Sequence, residues 1–546
     1  MGIAWLRSDK NLWIGLFLAC LCCSCAEYDA RSSEDYLGSK RSQDGGLKTE
    51  DREQEPDQQG HPSSEPAGGP LQMTIEQATL SALENNRSLV VQRFEPQITR
   101  TFVQEGLAVF DPIVRAELAY ERDKIAGGPA ESEFSGASAA VGVQEFLPTG
   151  TSLGLIGTTA PNEIIGPVED EYASRIGFNA TQSLLRGFGP AVNLASVNQA
   201  KIDVKISQYE LRGFAQALVA QVEETYWDYV LAERRIEIFQ QSLELAQKQL
   251  EETRERIKLG DLAPTELSAA EAEVALRREG LINARSTLAK TKLALLRLVN
   301  PRGASPAEPG ASFWDRAVVL TSPPVSPSIT LDDVESHVAL AMQMRPDLNQ
   351  ARLLWQRDEL EIVKTRNGLL PRLDLFATLG RTGFADSFGG SLKNLDENNY
   401  DALVGLDFEY PLGNRGARAR HFRAVLTRQQ ARESIDNLSQ LIDVDVRSAY
   451  LEIVRSQEQV AATAATRKLQ EEKLRVETEK FRLGKSTSLL VGQAQRDYVS
   501  SQIDEIQAVI SYLKSFVEMY RLEGSLLERR GIAGPGREPV KLSDAS

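Results

Sequence analysis

After residue 25 the sequence contains no cysteine, which excludes disulfides, thiolate metal sites and a cysteine nucleophile from nearly all of its 546 residues. Histidine is almost as scarce: His61, His337 and His421 are the only three, and none lies at ligand spacing from another histidine or a cysteine. The chain lacks a Gly-x-Ser-x-Gly elbow, a metal cluster and a phosphate loop, so neither an enzyme nor a cofactor is expected. An excess of positive charge is missing too. The formal net charge is −15 and no basic patch carries interleaved aromatics, which argues against a nucleic-acid partner. Beyond the N-terminal segment no run of 18 apolar residues occurs, so no helix is expected to cross a bilayer; any insertion would use strands.

All four cysteines, Cys20, Cys22, Cys23 and Cys25, fall in the opening segment. There Arg7 and Lys10 precede an apolar stretch from Leu12 to Cys23, and Ser24 sets a small residue before Cys25. This reads as an export signal of lipoprotein type (residues 1–25), with lipidation, such as by palmitate, expected at Cys25. Cys20, preceded by Ala19, is a second possible acceptor, and Cys22 stands where leucine is usual. An ordinary cleaved signal or an uncleaved anchor would equally export the chain. Residues 26–70 are polar, with eleven acidic against five basic residues, and cannot bury enough apolar surface to fold. They read as a flexible acidic tether.

Two stretches of about 68 residues, from about Ala191 to Lys258 and from about Gly416 to Arg482, contain no proline and read as helices of roughly 100 Å. They share a register. An offset of 224 superimposes Val222 on Val446, Tyr226 on Tyr450, Val230 on Val454, Gly260 on Gly484 and Ala270 on Ala494 without a gap. This is a duplication, and its main physical product is length. Each rod turns at a Leu-Gly pair, Leu259-Gly260 or Leu483-Gly484, and returns, from about Pro264 to Val299 and from about Ser488 to Leu527. In the first rod Ile236, Phe239, Leu243, Ala246, Leu250, Thr253 and Ile257 step by threes and fours, a coiled-coil seam. The matching positions of the second, Val460, Thr463, Arg467, Gln470, Leu474, Glu477 and Phe481, are more polar.

Each repeat opens with its own helix. Thr74 is the expected cap of the first, which Pro96 should kink before it ends near Phe110; Thr330 opens the second, which stops before Pro371. The pattern then changes to a period of two. Val114, Ala116, Leu118 and Tyr120 alternate with Arg115, Glu117 and Glu121, and Tyr172, Ser174, Ile176, Phe178 and Ala180 with Arg175, Asn179 and Thr181. In the second half Leu373, Leu375, Ala377 and Leu379 alternate with Asp374 and Thr378, and Ala402, Val404, Leu406, Phe408 and Tyr410 with Asp407 and Glu409. Strands of this length suit a tilted crossing of a membrane, yet four cannot close a useful barrel and lipid tolerates no open edge. A barrel shared among copies follows. The expected divisions are a first repeat over 71–300, a proline-rich linker over 301–329 wrapped on a surface, a second repeat over 330–530 and a flexible tail over 531–546.

Signal, duplication, strand pairs and turns together resemble the TolC-like outer-membrane efflux family, lipoprotein branch, over about 72–530. The most specific segments are Gln182-Ser183-Leu184-Leu185-Arg186-Gly187-Phe188-Gly189 and Tyr410-Pro411-Leu412-Gly413-Asn414-Arg415-Gly416 at the two strand-to-helix junctions; Ala449-Tyr450 and Leu369-Leu370-Pro371 support them. The resemblance implies an α+β membrane protein whose homotrimer shares one β-barrel in the outer membrane, with an α-helical tunnel in the periplasm. It also implies a periplasmic adaptor and an inner-membrane pump as partners, outer-membrane lipid around the barrel and an anchor on the periplasmic side. The expected function is a passive exit duct in tripartite efflux or type I secretion; a lipid-anchored coiled-coil scaffold without a pore is the alternative.

Site residues follow from that. Lys258, Leu259, Gly260, Arg482, Leu483, Gly484 and Lys485 are expected at the adaptor contact, although helix-end charge favoured by the dipole explains each cation singly just as well. Family members carry acidic gate residues six and nine positions past the second turn glycine; here these are Leu490 and Gln493, while the first repeat has Glu266 and Ala269. Glu266 alone would supply an acidic gate. Arg115, Glu117, Asp374, Asp407 and Glu409 are expected in the barrel lumen. An insertion between Gly136 and Ala160, turning at Leu147-Pro148-Thr149-Gly150, has no counterpart in the second half. It either extends the barrel or sits outside the membrane, and Glu145 on its apolar face suits lipid poorly.

Overall fold

A computed structural model describes residues 70–125, 132–162, 171–300, 314, 316–325, 331–396 and 399–541. The signal, the tether, Cys25, Thr330 and the last five residues lie outside them.

Thr74 starts α1 (Ile75–Asn85) with a capping box: its hydroxyl accepts from the Gln77 N–H, and its own N–H donates to the Gln77 side chain at 3.0 Å. The expected single kinked helix is three pieces, α1, α2 (Arg87–Gln92) and α3 (Glu95–Leu107). The first break is at Asn86, whose extended backbone lets its Oδ1 accept from Ser88 and Leu89 N–H while its amide donates to the Leu298 carbonyl at 2.9 Å. Pro96 makes the second break: it has no N–H to offer the Gln92 carbonyl, and the helix is interrupted at Arg93-Phe94 just before it. It lies in the first turn of α3, where a missing N–H costs little.

The sheet strands are β2 (Ile113–Ile125), β3 (Ser132–Phe146), β4 (Thr151–Asn162), β5 (Glu171–Ser183), β7 (Arg372–Ala385) and β8 (Tyr400–Glu409), antiparallel throughout and ordered β2-β3-β4-β5-β7-β8. The insertion is thus the β3–β4 hairpin inside this sheet. After β5 a short α4 (Pro190–Asn193) leads into α5 (Ala195–Lys258) of 64 residues, and α6 (Thr265–Val299) returns. In the second repeat α7 (Val334–Met344) and α8 (Pro346–Asn367) precede β7, the short α9 (Phe388–Lys393) lies between β7 and β8, and α10 (Arg415–Arg482) of 68 residues is followed by α11 (Ser488–Glu523) and α12 (Leu526–Arg529). Among the described residues no helix is long and apolar enough to cross a membrane.

The duplicated register is a register of burial. Val222 and Val446 are both fully buried, each at the centre of its own core. Around Val222 pack Tyr226, Leu295 and Leu296; around Val446 pack Ile442, Ile453, Phe516 and Met519. Lower in the first rod Phe239 lies against Gly280 of α6, where an added Cβ would come 2.5 Å from the ring. The weak seam of the second rod is closed by charge, Arg467 to Glu505 at 2.6 Å and Lys473 to Asp497 at 2.7 Å.

Two expectations need correction. Part of the proline-rich linker is core: β6 (Val318–Leu320) pairs in parallel with β1 (Leu71–Met73), Val318 is buried, and its carbonyl accepts from the Tyr229 hydroxyl at 3.1 Å. The tail, in its described part to 541, is docked. Ile532 packs into the cluster with Val219 and Ala220, the Tyr209 hydroxyl donates to the Glu538 carbonyl, and Val540 N–H donates to Asn349 at 2.9 Å, just beyond Arg530, which makes a two-pronged pair with Glu223.

Candidate functional sites

Alternation gives the sheet two unlike faces. One carries Val114, Leu118, Val141, Leu379, Val404, Leu406 and Phe408, all exposed, Leu118 at 85%. The register aligns them in rows such as Val114–Val143–Leu155–Phe178–Leu379–Ala402. An unpartnered apolar face of this extent fits lipid.

The opposite face is polar and rich in glycine. At Gly154, Gly177, Gly380 and Gly405 an added Cβ would meet the side chains of Asn179, Arg175, Asp401 and Phe376 at 3.1, 3.0, 2.5 and 2.5 Å. These glycines let large side chains lie flat across the strands. Arg175 of β5 uses that space to reach over β7 to Asp401 of β8, Nε to Oδ1 at 3.1 Å and Nη2 to Oδ2 at 2.5 Å. Arg115 and Glu117 line a cavity of about 330 Å³ with Gln144, Ser152, Asn179 and Thr181. Asp374, Asp407 and Glu409 converge on Arg372: its Nε is 3.3 Å from Asp374, its Nη1 3.2 Å from Glu409, and its Nη2 pairs with Asp407. All five residues expected in a lumen therefore share one face. Sequence reading missed Arg372 and the Arg175–Asp401 pair; Arg372, first in its strand after Pro371, alternates in phase with Asp374.

At the other end of the rods the two turns are the same motif. Gly260 N–H donates to Ile257 and Asp261 N–H to Arg256; Gly484 N–H donates to Phe481 and Lys485 N–H to Lys480. Both glycines have positive φ, +82° and +70°, and no neighbour within 4 Å of an added Cβ, so backbone conformation alone selects them. Leu259 and Leu483 project at 75% and 70% exposure. Lys258 and Arg482 pair within their own helices, with Glu255 at 2.6 Å and Glu479 at 3.1 Å.

Glu266 faces the other repeat: its carboxylate accepts from the Ser488 N–H at 3.2 Å and from the Ser488 hydroxyl, at the N-terminus of α11. Leu490 and Gln493 are exposed. A second link unforeseen in the sequence joins α6 to α11, where Arg496 pairs with Glu273, beside the buried Arg277. Burial pushes the Arg277 pKa down. Among the described residues no group of three or more His, Cys, Asp or Glu could hold a metal ion.

A sheet with one apolar and one polar face, joined to helical rods of about 100 Å, is the architecture of an outer-membrane channel subunit. The family model for outer membrane efflux proteins matches residues 174–300 and 338–525, more than half of the chain, and the chain belongs to that family. The fold is similar to the outer-membrane channel OprN (TM-score 0.62, 17% identity, 83% of this chain and 90% of that one). It is also similar to CusC (0.61, 16%, 86% and 99%) and to VceC of Vibrio cholerae (0.60, 16%, 82% and 96%). No curated protein matches it by sequence.

Proposed function

We propose that this chain is one copy of a ring-shaped exit duct, a homotrimer in the outer membrane, that passively conducts cargo from the periplasm or from a pump to the cell exterior. The observation that carries this reading is that the protomer is unfinished at both edges. Among the described residues β2 and β8 each pair on one side only, and an open strand edge is not tolerated in lipid. The helices are unfinished in the same sense. Phe422, Leu426, Val444, Leu451, Leu469 and Val476 form one exposed stripe along α10, while Phe94, at the start of α3, and Ile98 and Phe102 within it are exposed. Head-to-tail pairing of these edges closes both layers at once.

In this duct the Arg115–Glu117 face lines the water-filled lumen. The tips with Leu259 and Leu483 meet a periplasmic adaptor in a tripartite efflux or type I secretion assembly, Lys485 adding positive charge. Glu266 acts at the periplasmic end by tying the two hairpins together through Ser488, and Leu490 and Gln493 leave the second repeat without an acidic contribution. Lipidation of Cys25 would hold the N-terminus at the membrane from the periplasmic side.

Purified oligomer in a planar bilayer should give discrete conductance steps. Silence from stably inserted protein would leave a scaffold without a pore. Mass measurement of the mature N-terminus tests the lipid: an unmodified Cys25 rules the anchor out.

A further inference from the structure

We propose that the β3–β4 hairpin is a full part of the barrel wall. Each copy then supplies six strands, and the shared barrel is wide enough that bulky polar cargo is not halted there. This rests on the ring reading above, and it assigns the duct a cargo class by size.

The hairpin is paired on both flanks. β3 follows β2 from Ile113↔Gln144 to Tyr120↔Ala137, and β4 follows β5 from Thr151↔Gln182 to Pro161↔Tyr172. Its faces agree with those of its neighbours. Val141 and Val143 lie in register with Ala116 and Val114, and Leu155 with Phe178; Gln144 and Ser152 join Arg115 on the polar side. The turn is built onto the junction that leads into α5. Gly150 accepts from the Ser183 N–H at 3.0 Å, the Thr149 carbonyl from Gly189 N–H at 3.1 Å and the Pro148 carbonyl from the Asn193 amide at 2.9 Å. Gly150 has φ +88°, and a Cβ there would come 2.3 Å from the Gly187 carbonyl. This fixes the height of the hairpin. Glu145, an awkward residue in lipid, falls one residue from the end of β3 at the rim nearest the helices.

The stagger of the sheet makes the same point. One row runs Ile113–Gln144–Gly154–Asn179–Thr378–Leu403. β2 begins on that row, whereas towards the helices β3 extends two residues past it, β4 three, β5 four and β7 and β8 six each. The drift is about one residue per strand, the shear that a closed barrel with strands tilted by about 35–45° requires. β3 and β4 fall on the same progression as the duplicated strands. A hairpin lying outside the wall would break it. Because diameter grows roughly in proportion to strand number, six strands per copy instead of four widen the barrel about one and a half times and roughly double its cross-section.

The test is polymer exclusion. Poly(ethylene glycol) of graded size is added on the exterior side of channels formed by the full chain, and by a variant in which residues 126–170 are replaced by a short turn joining β2 to β5. The excluded radius should fall by about one third in the variant. An unchanged radius overturns the inference and leaves the duct standing; no channel from the inserted, unaltered chain overturns both. Should the deletion fail to assemble, single cysteines in the full chain decide, with the parent protein as blank. Ala140→Cys should react with a membrane-impermeant thiol reagent at least about tenfold faster than Val141→Cys, and equal rates overturn the proposal.

Discussion

Arg212 is a charged side chain at 0% exposure in the first third of α5, and its partners come from the far end of the chain. Its Nη2 donates to Glu528 at 2.7 Å and to the Gly524 carbonyl at 3.0 Å, a carbonyl that also accepts from Gln216 at 2.6 Å. Gly524 ends α11 with φ +75° and lies so close to Met344 that a Cβ would come 2.7 Å from the Met344 carbonyl. The guanidinium therefore pins the close of the second repeat to the long helix of the first. Removing Glu528 leaves a buried cation short of a partner, whereas replacing the cation removes the need for one. Glu528→Ala should cost about 3 kcal/mol and Arg212→Met clearly less. Thermal melting of the full chain in detergent checks this; an Arg212→Met loss equal to or larger than that of Glu528→Ala would contradict it. Nothing in the sequence marks Arg212, because an arginine on a long helix ordinarily faces water.

α5 shows where sequence patterning suffices and where it stops. Its length, its turn at Leu259-Gly260 and its match with α10 are legible because proline is absent from both long helices and glycine marks both turns, and local rules decide such features. Alternation likewise placed Arg115, Glu117, Asp374, Asp407 and Glu409 on one face. The break at Asn86, the β1–β6 pairing and the docked tail were hidden, since each depends on a partner far away in the chain: Leu298, at 212 residues, for Asn86, Val318 for Leu71, and Asn349, at 191 residues, for Val540. Packing between elements also buries acids. Burial pushes up the carboxyl pKa values of Asp203, Glu210, Glu224 and Glu233 on α5, and of Asp358 and Glu359 on α8; at Glu224 this prevails although Lys514 and Arg521 oppose it. A carboxyl raised in the folded state binds more protons there than in the unfolded chain. Its charge penalty is complete above the folded pKa and absent below the ordinary value of about 4. Stability should therefore rise as pH falls from neutrality towards 5, before exposed ion pairs begin to titrate. Melting curves at pH 7.5 and 5.5 read this directly, and Glu224→Gln should raise the melting temperature at pH 7.5 more than at pH 5.5. A melting temperature that falls between those two pH values would refute the account.

For the whole molecule, the question is what an unfinished protomer does with its edges. Along α10 the exposed apolar residues Val444 and Leu451 lie seven apart, as do Leu469 and Val476, with Leu451 and Leu469 at 67% and 71% exposure. Seven residues bring a helix position back to nearly the same direction, so these side chains point to one side of α10, which also carries Glu433, Gln440 and Glu458. Among the described residues that line is left exposed, whereas the rod's own seam is covered: Val460 and Leu474 are half-buried, and Phe481 is buried under Arg256. A single surface leucine is ordinary, but a line of them along about 80 Å of helix is a contact face. The proposed ring uses it against α3 of the next copy. Burying a leucine is worth about 2 kcal/mol, so Leu451→Glu or Leu469→Glu should weaken each copy-to-copy contact about thirtyfold or more. The two variants should retain the helix content of the parent, since neither position touches a core. Mass measurement of detergent-solubilised protein should then show the oligomer shifted towards single chains in both variants, and more completely in the double variant. A fully assembled double variant would mean that the stripe faces water or another partner, and the ring would have to close by its strands alone.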